Sequence, residues 1–327
     1  MGKTKIHYFT HLEIDKKKWD ECIHQSSQGL VYALSFYLDI VSPNWDAVIE
    51  ENEQAYTAVM PLPKKRKYGI TFLQQPLFCQ QLGIFSVENE VSNAKLEIFM
   101  ALIVQKYKLA SHYHFHTNVR LSQTPNMEIT YLHTHHLNLS CSYTAIYKNY
   151  SADRKLNLKL AIRANLQIVE SADIEPLIQM FEKDIAHKIS GGVAANAYDM
   201  LKKLYKALHK KGLCKLFYTK NQKGQIGAGG LFVFYQHQII YLFNAAYHTH
   251  RKENGRTLLI DHLLKKYAQS SYTFDFESPE IVQISQFYKS FGAEAIPYPK
   301  VSYNHLPDWI NNLWKVKKKI YETIFPK

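Results

Sequence analysis

The stretch from Tyr272 to Ala293 constrains the fold more than any other part of the sequence. It opens with Tyr-Thr-Phe-Asp-Phe, whose alternation predicts a short strand with Asp275 on the face opposite to the two phenylalanines. A turn around Glu277 follows, and apolar residues then recur at helical spacing until Gly292, where a C-terminal glycine ends a helix. The pattern therefore predicts a strand, an acidic turn and a helix in direct succession.

The composition predicts a folded protein that is large enough for two domains. The chain has 327 residues, of which 46% are hydrophobic and 13% aromatic, so it can bury a core. Its apolar runs have the length of strands, far from the roughly 20 residues that a membrane-spanning helix needs. Four scattered cysteines without paired spacing fit reduced thiols, and no signal-peptide pattern follows Met1. We therefore expect a cytoplasmic protein.

The charge is strongly positive, with 40 Lys and Arg residues against 28 Asp and Glu residues and a formal net charge of +12. Such a surplus attracts anionic partners, among them nucleotides, phosphorylated cofactors, tRNA and anionic lipid headgroups. A basic surface without any specific partner is the other interpretation. The composition alone does not choose between the two.

The order of predicted elements is similar before and after residue 145. Each half has helices near its start, a run of antiparallel strands, and then a helix with further strands. This repetition predicts two copies of one α/β unit, at 1–145 and 146–300. The segment 301–327 contains an amphipathic basic helix, 307–324, which we expect to pack back on the body. Peripheral contact of this helix with a membrane surface is the alternative.

Three further patterns have a functional and a structural interpretation. Histidines on two predicted strands could bind zinc, but without an accompanying zinc motif we predict no metal site and interpret them as polar strand positions. The run Lys64–Lys67 could bind phosphate, and we predict a solvated hairpin turn instead. Three glycines in a later predicted strand indicate that another group approaches the backbone of that strand closely. The histidines are His112, His114, His116, His133, His135 and His136, and the glycines are Gly227, Gly229 and Gly230.

A basic helix is predicted from about residue 152, with Ser151 as its N-cap. Lys155, Lys159 and Arg163 follow each other at intervals of four residues and therefore share one face. A face of this kind either is solvated or binds an anionic partner. Both interpretations remain open at this point.

The second half of the sequence resembles the GNAT acyltransferase fold. The resemblance rests on a fourth strand at Tyr241–Ala246, a loop at Lys252–Thr257, the helix that follows, a fifth strand at Phe274–Phe276 and a helix that ends at Gly292. The loop of the family has the pattern Arg/Gln-x-x-Gly-x-Gly/Ala, and this chain has lysine, glycine and threonine at the three specified positions. The resemblance implies a mixed α/β (α+β) fold with mostly antiparallel sheets flanked by helices.

A closer resemblance is to the Fem-type (FemAB-like) branch, whose tandem GNAT proteins transfer amino acids from aminoacyl-tRNA to peptidoglycan precursors, and to uncharacterised proteins grouped with them. It rests on Gln80–Phe85, on Arg154–Ala164, which is similar to the Arg-x-Asn-Ile-Arg-Lys-Ala segment of the family, and on Asp275–Ser278 followed by Phe287–Gly292. An inserted helical-hairpin arm, present in some tRNA-dependent members, is not evident. The smaller, uncharacterised group is therefore favoured.

This resemblance implies transfer of an acyl or aminoacyl group to an amine, from acyl-CoA or aminoacyl-tRNA, with no tightly bound cofactor. Tyr288 then protonates the leaving thiolate or ribose oxygen, and Asp275 or Glu277 accepts a proton from the amine. The donor's phosphates are expected at Lys252, Asn254, Gly255, Arg256 and Thr257. An acidic peptide or nucleotide is expected at Arg154, Lys159 and Arg163.

Each of these roles has a structural alternative. Tyr288 could be a core tyrosine, and the two carboxylates could cap or stabilise local structure. A protein that retained the fold without catalysis and binds tRNA or a nucleotide through a basic cleft is the alternative function.

Overall fold

The computed structural model describes residues 4–122, 126–189 and 191–312. These residues form two compact units, one from the segments up to Leu132 and from Tyr298 onward, the other from His133–Pro297. The sequence had indicated divisions at 145 and 300, so the N-terminal division lies earlier in the chain. The predicted helix at 307–324 begins at 308, and its residues beyond 312 lie outside the described part of the chain.

The first unit contains two groups of strands. In one, β1 (Lys5–Phe9), β2 (Asp46–Glu51), β3 (Tyr56–Leu62) and β6 (Phe85–Ser86) form an antiparallel sheet in that order. In the other, β4 (Lys64–Lys67) pairs with β5 (Ile70–Gln74), which runs parallel to β7 (Leu109–His114). The last residues of β14 (Glu294–Asn304) then pair antiparallel with β7. The helices α1 (Lys16–Gln25), α2 (Ser35–Val41) and α3 (Asn93–Lys106) belong to this unit.

The basic hairpin turn predicted at Lys64–Gly69 is confirmed at Tyr68 and Gly69 and wrong for Lys64–Lys67, because these four residues form strand β4. The strand is explained by its surroundings rather than by its composition. All four residues are paired with β5, and the Lys64 ammonium reaches the buried carboxylate of Asp46 at 2.6 Å. The strand therefore supplies a charge that the core of this unit needs.

The second unit contains strands in the order β8, β13, β12, β11, β10, β9, with β8 contributing its residues from His133 onward. The strands are β8 (Glu128–Asn138), β9 (Gln167–Ser171), β10 (Cys214–Lys220), β11 (Ile226–Tyr235), β12 (Gln238–Ala246) and β13 (Thr273–Asp275). Its helices are α4 (Tyr143–Lys148), α5 (Ala152–Arg163), α6 (Glu175–Asp184), α7 (Ala197–Lys210), α8 (Gly255–Lys266) and α9 (Val282–Lys289). All neighbouring strands are antiparallel except β12 and β13, which are parallel.

The parallel pair β12–β13 creates an opening in the sheet. Parallel neighbours need a crossover, and α8 supplies it. Pairing between the two strands ends at Ile240 and Asp275, while β12 continues to Ala246. Beyond that point the chain of β13 follows β8 instead, since the amide of Phe276 donates to the carbonyl of His135. The two parallel strands therefore part beside the start of α8.

The strand, turn and helix predicted for Tyr272–Ala293 are confirmed. Strand β13 and helix α9 lie inside the predicted bounds, and Gly292 has φ +84° at the end of the helix. Asp275 and both neighbouring phenylalanines are buried, because the strand lies inside the sheet with covered faces. This segment forms one wall of an aromatic core that includes Tyr241, Tyr288 and Phe291.

The close approach predicted at the glycines of β11 is made by the protein's own side chains. A Cβ atom on Gly229 would lie 2.6 Å from the Tyr218 ring, and one on Gly230 would lie 2.7 Å from the Tyr241 ring. On Gly227, a Cβ would lie 3.1 Å from His250. These glycines therefore make room for packing on the sheet, which accounts for them without a ligand.

Candidate functional site

The start of helix α8 has the properties of an anion site. Asn254 has the left-handed conformation, φ 59°, and turns the chain so that the helix begins at Gly255. The side chain of the N-cap residue Asn254 makes no capping hydrogen bond, so the first amides of the helix lack the usual side-chain acceptor. Backbone N–H groups and the helix dipole together favour negative charge at such a position.

Gly255 is required at this position by packing. A Cβ atom there would lie 2.5 Å from Oγ1 of Thr219 and 3.0 Å from Cβ of Ala228. Only glycine therefore lets the first turn of α8 pack closely against β10 and β11. The loop resembles the family pattern at this glycine, and its closeness to the sheet explains why.

Two arginines lie together behind this helix start. Arg154 on α5 and Arg256 on α8 both place their guanidinium groups against the Phe287 ring, at 4.2 and 5.4 Å from its centre. Arg154 is buried, and its hydrogen bonds go to the hydroxyls of Ser290 (2.8 Å) and Thr257 (2.5 Å). Burial and the neighbouring positive charge of Arg256 lower the pKa of Arg154 to about 10, so it remains charged at neutral pH.

No carboxylate of the described residues compensates this pair of charges. Neither arginine lies within 4.0 Å of a carboxylate in the described residues. Two like charges that share one aromatic ring repel each other, and a buried cation without an anion loses its solvation. An anion bound at the start of α8 would relieve both costs.

Tyr288 on α9 lies beside these charges and is buried, with 4% of its surface exposed. Burial raises the pKa of Tyr288 to about 12, against the opposing effects of the Arg256 charge and a hydrogen bond from Asn244. Its phenol is therefore protonated at neutral pH and able to donate a proton. The nearby Tyr241 hydroxyl is buried and has no hydrogen-bond partner among the described residues. Both interpretations of Tyr288, as acid and as core residue, are compatible with this position.

Asp275 and Glu277 are in different environments. The Asp275 carboxylate accepts hydrogen bonds from the Thr134 hydroxyl (2.6 Å) and the Glu277 amide (2.8 Å) and lies 3.4 Å from His136 Nε2. Although burial opposes it, the charge of His136 and these hydrogen bonds hold the pKa of Asp275 below its ordinary value. Glu277 is half-buried, has φ 47°, and its charge affects the pKa of Tyr288. The Asp275 carboxylate is therefore engaged by several neighbours inside the sheet, whereas Glu277 is only partly buried.

The other predicted binding residues are separated from one another. Thr257 is buried and bonded to Arg154, whereas Lys252 is exposed before the helix start. Lys159 and Arg163 are exposed on α5, on the side away from the buried Arg154. Arg154, Lys159 and Arg163 thus do not form one surface, because Lys159 lies five residues after Arg154, which is one full helical turn plus about 140°.

A cavity that sequence reasoning missed lies between β8 and α9, with a volume of about 360 Å³. His135 in its wall is hydrogen-bonded at Nδ1 to Ser278 (2.7 Å) and at Nε2 to Ser285 (3.1 Å). Its ring centre lies 6.4 Å from that of Tyr288. Burial and the Lys289 charge lower the pKa of His135, so the ring is neutral at neutral pH. The serines that contact His135 carry no recognisable sequence signal.

The histidine-rich strands hold their rings with hydrogen bonds. His114 Nδ1 lies 3.0 Å from the carbonyl of Gln80, and His116 Nε2 lies 2.9 Å from that of Ile84. Within residues 4–122, 126–189 and 191–312, no group of three or more His, Cys, Asp or Glu side chains could hold a metal ion.

Solved structures share the fold of this chain over nearly its whole length. A crystal structure of FemX has 13% identity and a TM-score of 0.59, with 96% of this chain and 99% of that chain covered. A tandem GNAT protein from the clavulanic acid biosynthesis pathway has 7% identity, a TM-score of 0.54, and 93% and 99% coverage. L-PGS from Bacillus licheniformis has 10% identity, a TM-score of 0.53, and 90% and 93% coverage.

No family model and no curated protein matches the sequence. The chain nevertheless has the tandem GNAT fold of the Fem-type proteins, as the sequence predicted. At these identities the likeness establishes the fold alone. In the described part of the chain, no helix is long and apolar enough to span a membrane.

Proposed function

We propose that this protein is an N-acyltransferase that moves an acyl or aminoacyl group from a phosphate-bearing carrier to an amine. The observation that supports this most directly is the uncompensated pair Arg154 and Arg256 at the uncapped start of α8, beside the buried Tyr288. Acyl-CoA and aminoacyl-tRNA both present phosphate to such a group. The shared fold with FemX and with a tandem GNAT protein supports the reaction class.

In the proposed reaction the amine attacks the acyl carbonyl, and the bond from that carbonyl to the carrier's sulfur or oxygen breaks. Tyr288 donates its proton to the leaving atom, and Glu277 accepts the proton that the amine loses. The proton then returns from Glu277 to the phenolate through solvent, so the enzyme ends as it began. Asp275 is left out of this chemistry because its carboxylate is already engaged by Thr134, His136 and the Glu277 amide.

Arg256 and the first amides of α8 bind the carrier's phosphates in this proposal. Arg154 acts from behind, because its guanidinium is held by Ser290 and Thr257 and adds positive potential without direct contact. Lys252 lies before the helix start and adds a positive charge there, while the neutral Asn254 donates from Nδ2 to the Lys252 carbonyl at 3.0 Å and holds the turn. Lys159 and Arg163 have no part in this site.

The test combines donor binding with single-turnover transfer. Acetyl-CoA, longer acyl-CoAs, and charged and uncharged tRNA are titrated while the melting temperature is followed, and the stabilising donor is then used with amine acceptors. Tyr288→Phe is expected to lower the transfer rate by about 10²–10⁴ while the donor still stabilises the protein, since only proton donation is lost.

Tyr205→Phe is the control, because Tyr205 is another buried tyrosine and lies on α7, and its hydroxyl has no hydrogen-bond partner among the described residues. Its rate should equal that of the wild type. An unchanged rate in Tyr288→Phe would exclude its role as proton donor. Tight binding of uncharged tRNA with no response to any donor would instead establish the non-catalytic alternative.

A further inference from the structure

The outer face of α5 exposes large apolar side chains to solvent. Leu156, Leu160 and Ile162 have 54%, 40% and 59% of their surface exposed. The opposite face of the same helix buries Arg154, Leu158 and Ala161. The helix therefore already has a packed side, and the exposed apolar residues are additional to it.

Cations alternate with these apolar residues. Lys159 and Arg163 are exposed and form no ion pair or hydrogen bond within the described residues. Lys155, one turn earlier, donates to the carbonyl of Lys148 at 2.9 Å. Asp153 in the first turn is the one acidic residue of the helix sequence. The outer face, defined here as Leu156, Lys159, Leu160, Ile162 and Arg163, is thus both apolar and positively charged.

Helix α7 shows that basic charge alone does not explain this face. It carries the exposed lysines Lys203 and Lys206, and they too form no ion pair within the part of the chain that the structure describes. Yet none of the exposed large apolar side chains of the described residues lies on α7. An ordinary solvated basic helix in this protein therefore looks like α7, and α5 differs from it by its apolar residues.

We propose that the outer face of α5 binds an anionic lipid surface. In such an interface, leucine and isoleucine side chains enter the boundary between headgroups and acyl chains, and Lys and Arg remain at the phosphates. An RNA backbone would pair with the two cations but would leave the three apolar side chains in water. The combination of both residue types therefore favours lipid. This surface is independent of the function proposed above.

The test is co-sedimentation of the whole protein with vesicles of phosphatidylcholine, with and without phosphatidylglycerol. The wild type should bind the anionic vesicles and not the neutral ones. Lys159→Gln/Arg163→Gln should lower the partition coefficient by about fivefold for each cation removed. Leu156→Gln/Ile162→Gln should lower it at least about tenfold, because two buried apolar side chains are lost. Lys203→Gln/Lys206→Gln removes the same charge from α7 and should bind as the wild type does.

A second measurement does not depend on the stability of these variants. An environment-sensitive fluorophore on Leu156→Cys, in a Cys141→Ser background, should shift to the blue with anionic vesicles, whereas one on Lys203→Cys should not. Absence of wild-type binding would overturn the proposal. So would equal losses in the α5 and α7 variants, or α5 variants that keep vesicle binding but lose RNA binding or self-association.

Discussion

Asp46 in the first unit and Arg154 in the second are both charged and buried, with 2% and 6% of their surface exposed. Asp46 accepts a hydrogen bond from the Lys64 ammonium at 2.6 Å and from the hydroxyls of Tyr8 and Tyr107. The protein thus supplies both the opposite charge and the hydrogen bonds that a buried carboxylate needs.

Arg154 has no such compensation within the described residues. Its guanidinium donates to the neutral hydroxyls of Ser290 and Thr257, and among neighbouring charges the cation of Arg256 affects its pKa most. The buried charge of Asp46 is thus balanced by an opposite charge from the protein, whereas no described carboxylate balances the buried charge of Arg154. A charge that the fold does not balance is expected where a ligand of opposite charge binds.

The largest effect is expected when the ion pair and hydrogen bonds of Asp46 are removed. Asp46→Ala should lower the free energy of unfolding by about 3–5 kcal/mol, because it leaves Lys64 without its partner and removes the acceptor of the buried Tyr107 and the half-buried Tyr8. Urea denaturation measures this change. Glu53→Ala, an exposed carboxylate in the same unit, should change stability by less than about 0.5 kcal/mol. A small effect of Asp46→Ala would mean that the partners of Asp46 do not stabilise the fold, and the contrast with Arg154 would then be wrong.

The next largest effect concerns the stability that a bound donor adds at Arg154 and Arg256. A donor present at a free concentration of 100 times its dissociation constant should raise the free energy of unfolding of the wild type by about 2.7 kcal/mol. Arg256→Gln should lose most of this stabilisation, since it removes the guanidinium nearest the start of α8, and thermal-shift titration measures the loss. Arg251→Gln, an exposed neighbour, is the control and should respond as the wild type does. If both variants respond equally to the donor, Arg256 at the start of α8 does not bind its phosphates.

The smallest effect is a dependence on acid pH. Burial alone would raise the pKa of Asp46, but hydrogen bonds from Lys64, Tyr107 and Tyr8 outweigh it and hold the pKa below the ordinary value of 3.8. The folded pKa is thus lower than the unfolded one, so this stability is present above pH 3.8 and is lost as the pH falls through the folded pKa. The stability difference between wild type and Asp46→Asn, followed by urea denaturation, should therefore shrink below that pH. A difference independent of pH would contradict the assigned cause.

Local patterns in the sequence predicted the part of the fold that surrounds the candidate site. The strand, turn and helix from Tyr272 to Ala293 are readable because alternation, helical spacing and a terminal glycine each act within a few residues. The family resemblance predicted a loop at Lys252–Thr257 and a helix after it; the helix begins earlier, at Gly255, whose close approach to Thr219 leaves no room for a side chain. Partners distant in sequence could not be predicted in this way. The contact of Lys64 with Asp46 joins strands β4 and β2, and no local pattern around Lys64 indicates such a partner. The sequence therefore predicted a turn at Lys64 and not a strand.

The sequence by itself therefore determined the strand, turn and helix of Tyr272–Ala293, the tandem fold class and the presence of arginine, glycine and tyrosine near one helix start. Only the tertiary structure decided how each residue is used. On α5, a single run of cations separates into the buried Arg154 and the exposed Lys159 and Arg163. The physical reason is that burial and charge compensation depend on neighbours from other elements, and those neighbours exist only once the chain has folded.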